Sequence, residues 1–110
     1  MQPTIGRIVR YTLTEADADA INRRRADFEA FQRTILPPRV SGTGGATGHQ
    51  AHVGNRAQAG QTYPAMVVRV FDPSATTANL QVSLDGNDTY WATSRTEGDG
   101  EGHWVWPPRV

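Results

Sequence analysis

The chain lacks cysteine and lysine, carries no net charge at neutral pH, and has no long apolar run. Without cysteine there are no disulfides, thiolate zinc sites, thiol nucleophiles or iron–sulfur ligands. Eleven basic residues balance eleven acidic ones, which argues against a duplex nucleic-acid binder, since that affinity rests on surplus positive charge. The absence of lysine makes every basic residue an arginine, whose planar fork of donors suits phosphate or carboxylate. Recognition of one anion at one place therefore stays open. No apolar stretch approaches the roughly 20 residues that cross a bilayer, so no membrane partner is expected. Met1-Gln2-Pro3-Thr4 has no signal-peptide pattern, which predicts a cytoplasmic protein. Hydrophobic residues make up 37% of 110, room for one domain with a thin core that oligomerisation would help.

What is present reads as a small α+β domain. Residues 5–13 alternate at period two with β-branched residues among them, predicting a first strand apolar on both faces. Thr14 then caps a helix over about 15–34, with Glu15, Asp17 and Asp19 near its positive end. Pro37-Pro38 stops it. Residues 41–61 are rich in glycine and small residues without periodicity, predicting a long loop that is mobile unless a partner holds it. A β-meander follows over about 63–106. YPAMVVRVF is almost wholly apolar, as a doubly buried strand would be, with Pro64 near its start. Leu80, Val82 and Leu84 alternate with polar residues, Asp85-Gly86 supplies a hairpin turn, and TYWATS returns antiparallel. A last short strand spans 103–106. The expectation is a strongly bent antiparallel sheet or SH3-like barrel of about five strands, with one long helix inserted after the first.

The helix carries the sharpest local signal. At 100° per residue, Asp17, Ile21, Arg24, Phe28, Phe31 and Ile35 share one stripe, predicted to face inward. Arg23 has Asp27 four residues on and Arg25 has Glu29, which predicts two surface ion pairs. Arg24 has no such partner and points along the stripe. Its guanidinium must find an anion, carbonyls or water, because burying it unpaired is costly. Three outcomes are open. Arg24 can snorkel past Phe28 or pair with Asp17; Asn22, Arg24 and Arg25 can present donors to an anionic small molecule; or the stripe can be a dimer seam.

Other constellations are weaker. His49 and His52 stand three residues apart without a third metal ligand nearby, and SGTGGATG lacks the context of a phosphate-binding loop. Asp85-Gly86-Asn87-Asp88 lacks the distal glutamate of a calcium loop, leaving Asn87 and Asp88 as turn acceptors beside Tyr90 and Trp91. Acceptors next to aromatic faces suit a nucleobase or ribose. Trp104 and Trp106 should share a strand face as core plugs, although an exposed Trp106 could stack a base while Arg109 meets a phosphate. No spacing joins a nucleophile, base and orienter, so neither an enzyme nor a cofactor is expected. His49, His52 and Asp88 are the most that a catalytic reading could assemble.

GRIVRYTL, INRRRADFEAF, QAHVGN, YPAMVVRVF, NLQVSLDGNDTYWATS and WVWPPR together resemble a family of small proteins of tailed bacteriophages. The resemblance spans most of the chain outside 42–48. It implies a phage setting, in which proteins of this size include virion decoration or connector subunits, inhibitors of host enzymes, and oligomeric sponges for nucleotide immune signals. In that setting the residues predict a counter-defence protein, in the cytoplasm of the infected host, that sequesters a cyclic dinucleotide, cyclic oligonucleotide or ADP-ribose derivative without catalysis. Asn22, Arg24, Arg25, Asn87, Asp88, Tyr90, Trp91, Trp106 and Arg109 would line its site. The alternative is a virion or host-protein-binding subunit that needs an adhesive surface and no nucleotide.

Overall fold

The computed structural model describes residues 2–35, 55–72 and 74–108, without the side chains of 32–35. Five strands and one helix follow in the order β1 (Ile8–Thr12), α1 (Glu15–Ile35), β2 (Thr62–Val70), β3 (Thr77–Ser83), β4 (Thr89–Glu97) and β5 (His103–Val105). The strands close into a barrel in chain order, with β5 pairing back to β1. Closure leaves no sheet edge among them.

The chain turns into α1 at a reciprocal cap. Thr14 Oγ1 accepts the Asp17 amide at 3.0 Å while Asp17 Oδ2 accepts the Thr14 amide at 3.0 Å, a capping box with aspartate in the third helical position. The cap is the one expected for Thr14, with Glu15 and Asp17 in the first turn.

The core lies inside the barrel. Val9, Tyr11 and Leu13 point in from β1 and its end, Ala65 and Val67 from β2, and Ala78, Leu80 and Val82 from β3. Trp104 fills the interior from β5 with no exposure, and its indole N–H is shared between the carbonyls of Thr76 (3.0 Å) and Arg95 (3.2 Å). A buried indole therefore keeps its donor satisfied.

Three strand expectations need correction. β1 begins at Ile8, with Ile5 outside it and 70% exposed. Neither β1 nor β2 is buried on both faces. Ile8 is 49% and Met66 44% exposed, because a barrel gives each strand one inner and one outer face and nothing described covers the outer one. The sheet is also mixed, since β5 runs parallel to β4 over Thr96↔His103 and Glu97↔Trp104. Gly100 and Gly102, both at positive φ, let residues 98–102 double back so sharply.

Two bulges bend the barrel around Asn79. One residue is gained on β2 between Val67 and Arg69, and another on β4 opposite Ala78–Leu80. On β4, Ser94 adopts φ 55°, and its amide donates to Asn79 Oδ1 at 2.8 Å. Asn79 is buried, so this bond holds the bulge from within.

Most of the glycine-rich stretch, residues 41–54, lies outside the described residues, as do His49 and His52. Its end is fixed: Ala57 is buried, Gly60 donates to the Leu13 carbonyl, and Leu13 donates to that of Gln61.

Candidate functional site

Two polar clusters join α1 to the barrel. The first is centred on Asp17, 1% exposed in the first turn of the helix. Its Oδ2 accepts the Tyr11 hydroxyl as well as the Thr14 amide. Its Oδ1 accepts the Tyr90 hydroxyl and an Arg95 guanidinium N–H, each at 2.9 Å. Burial pushes the Asp17 pKa up, but the bonds from Thr14, Tyr11 and Tyr90 and the Arg95 charge outweigh it, leaving the carboxyl below its ordinary range. Burial, and then the bond to Asp17, raise both tyrosine hydroxyls above theirs. The Arg95 guanidinium also lies 5.6 Å from the centre of the Tyr11 ring.

The second cluster is a clamp between the middle of α1 and the β3–β4 hairpin. Arg24 donates to Asp88 Oδ2 at 2.6 Å and to the Thr89 carbonyl at 3.0 Å. Arg25 donates to the same Asp88 oxygen at 3.1 Å, and to the carbonyls of Asn55 (2.9 Å) and Asp85 (3.5 Å). Asn22 makes a two-way bond with the backbone of Ala57, donating to its carbonyl at 2.9 Å and accepting its amide at 3.1 Å. Asp85 in turn accepts the Asn55 side-chain amide at 2.9 Å. Three helix side chains therefore bind the helix, residues 55–57 and the hairpin turn into one unit.

The helix stripe divides differently from the expectation. Arg25, rather than Arg24, is the buried guanidinium, and it turns to Asp88 instead of Glu29. Arg23 and Asp27 make no ion pair among the described residues. Arg95, not Arg24, partners Asp17. Phe28 and Phe31 are 43% and 59% exposed rather than inward.

The structure gathers Asn22, Arg24, Arg25 and Asp88 in the clamp, with exposed Asn87 in the same turn. Tyr90 points inward to Asp17 and so is separated from Trp91, which stands 63% exposed on the outer wall. Trp106 packs edge-on against Trp104 with centroids 5.3 Å apart, and the Arg7 guanidinium lies 5.3 Å from its ring centre. Arg109 lies outside the described residues. Among the described residues no group of His, Cys, Asp or Glu could hold a metal ion, and no helix is long and apolar enough to cross a membrane.

A feature the pattern reading missed is a row on the outer wall. Ile8 is opposite Met66, Met66 opposite Gln81, and Gln81 opposite Trp91. Residues directly opposed across neighbouring strands lie about 5 Å apart, so four strands present one continuous, mostly apolar line to solvent. Alternation did mark Ile8 and Met66 as facing away from Val9 and Val67. Their apolarity was what made the outer face look buried.

The chain matches no family model, no curated protein and no solved structure.

Proposed function

We propose that this chain is a non-catalytic assembly subunit that docks a protein on the outer wall of its barrel, in the tailed-phage setting that its segments resemble. The observation behind this reading is the row Ile8–Met66–Gln81–Trp91. Its three apolar members are between 44% and 63% exposed and aligned by strand register rather than scattered. Single exposed apolar side chains are ordinary, whereas a contiguous line of them marks a contact surface. The anion-binding candidates weigh on the same side, because Asn22, Arg24, Arg25 and Tyr90 already have partners within the chain.

The test is incorporation. Tagged chain supplied during infection should copurify with phage particles, and Met66→Glu with Trp91→Arg should abolish this while thermal unfolding stays cooperative. Unchanged incorporation of the double variant would remove the wall from the account.

Capture of a small phosphorylated nucleotide is the second reading, favoured by one observation. The Arg24 side chain remains 46% exposed while bound to Asp88, and exposed Trp91 lies two residues from the carbonyl that Arg24 holds. On that reading a cyclic dinucleotide or ADP-ribose derivative would stabilise the fold by about 2.7 kcal/mol at a hundredfold excess over Kd. No thermal shift across such a panel removes it.

A further inference from the structure

The row on the outer wall is bracketed by two arginines. Arg10 follows Ile8 by two residues on β1 and is opposite Pro64, so it shares the outer face and stands about 7 Å to one side of the row. On the other side Arg69 is opposite Asn79, two residues along β3 from Gln81. The bulge between Val67 and Arg69 is what puts it there. Arg69 lies three residues beyond Met66, an odd step that would turn it inward on a regular strand, and the extra residue returns it to the outer side. Both arginines are exposed.

Neither arginine is in an ion pair among the described residues. β1, β2 and β3 contain no aspartate or glutamate, and the exposed neighbours of Trp91 on its own face of β4 are Thr89 and Thr93. The sequence between the helix and β2 holds no counterion either, since residues 36–61 include Arg39 and Arg56 and no acid. Arg69 lies against the Phe71 ring, 5.5 Å from its centre, a contact with the ring face that uses no anion. The wall is apolar along its middle and cationic on both sides.

We infer that the protein docked on the wall meets it with an acidic surface, laying apolar side chains over Ile8, Met66 and Trp91 and a carboxylate on either side against Arg10 and Arg69; this rests on the docking reading above. Covering the row takes both guanidiniums out of bulk water, and enclosing them without an anion is costly. A basic partner would add like-charge repulsion to that cost. The apolar row supplies the area of the contact, and the arginines select the partner by its charge. With one arginine a row to each side of the same line, the matching carboxylates stand about 14 Å apart along the strands. The row has a single aromatic face, Trp91, where a single-stranded nucleic acid needs several to stack on, so the anionic partner it suits is a protein.

The experiment is a competition during infection. Wild type and one variant, distinctly tagged and supplied in equal amounts, are counted in the purified particles, and thermal unfolding checks that each variant folds. Arg10→Glu with Arg69→Glu should be depleted at least about tenfold, while Arg10→Lys with Arg69→Lys keeps the charge and should stay within about threefold of wild type. Emptying the particles of nucleic acid and treating them with nuclease should leave the wild-type chain bound. Equal incorporation of the charge-reversed pair overturns the proposal, as does depletion of the lysine pair to the same extent, or release of the chain by nuclease. Met66→Glu with Trp91→Arg, run beside them, separates the two claims. If it is depleted while the charge-reversed pair is not, docking stands without an acidic partner. If it competes as well as wild type, the docking reading itself falls.

Discussion

Asp17 shows how a single acid can be kept charged inside a small protein. Four donors, from Thr14, Tyr11, Tyr90 and Arg95, surround a carboxylate that is 1% exposed. Asp17→Asn leaves Arg95 without its anion and should cost about 3 kcal/mol in urea unfolding, the scale of breaking a buried pair. The folded-state pKa of Asp17 is lowered, so its stabilisation is complete above the unfolded value of about 4 and is lost as pH falls through the folded value. The variant should therefore show a shallower acid limb in a stability–pH curve. Tyr11 and Tyr90 act with the opposite sense. Their hydroxyls are raised, so their stabilisation is intact below about pH 10 and fades as pH climbs through the folded values. Tyr11→Phe should cost about 1.5–3 kcal/mol, the worth of a hydrogen bond to a charged group, and flatten the alkaline limb.

At the scale of elements, the clamp fixes the middle of α1, and residues 26–31 beyond it are exposed. Asp88 serves two guanidiniums of unequal burial, Arg24 at 46% and Arg25 at 9% side-chain exposure. Arg24→Ala should cost less than about 1 kcal/mol, as exposed pairs do. Asp88→Ala should cost about 2–3 kcal/mol, because it strips the anion from a buried arginine. Equal losses by thermal unfolding would contradict the assignment. Asn79 makes a comparable case on β3, where Asn79→Ala leaves the Ser94 amide without its acceptor at the bulge. About 1–3 kcal/mol should be lost there.

These elements also show where pattern reading stops. The Thr14 cap was legible because its chemistry is local: a threonine with an acid three residues on. The division of labour between Arg24 and Arg25 was not, because the two straddle the same inward stripe. The carboxylate that holds them arrives from Asp88, more than sixty residues away. Helical spacing places a side chain on a face; it does not say how far the surface beneath extends. Phe28 and Phe31 lie on the stripe as expected, but beyond the part of the helix that the barrel buries.

At the scale of the whole molecule, the five-strand barrel with one helix after its first strand followed from period-two patterning and glycine turns. What escaped was the consequence of closure for the strand faces. Once the sheet closes, every strand acquires an outer face, and the apolar residues in β1 and β2 that look like a second core become a wall. The parallel β4–β5 pairing was equally invisible, because it depends on Gly100 and Gly102 adopting positive φ rather than on any strand pattern. The same closure turns the functional question from a pocket to a surface. The arginines and the acid expected at a ligand site hold the helix on the barrel, and the exposed row is the surface on which the proposed docking would take place.

The most direct measurement is oxidative footprinting of Met66 and Trp91, comparing dilute purified chain with chain incorporated in phage particles. Docking on the wall predicts rapid labelling of both side chains in the dilute protein and strong protection of both in the particle, with buried Trp104 slow in each. Equal labelling of Met66 and Trp91 in the two states would contradict it.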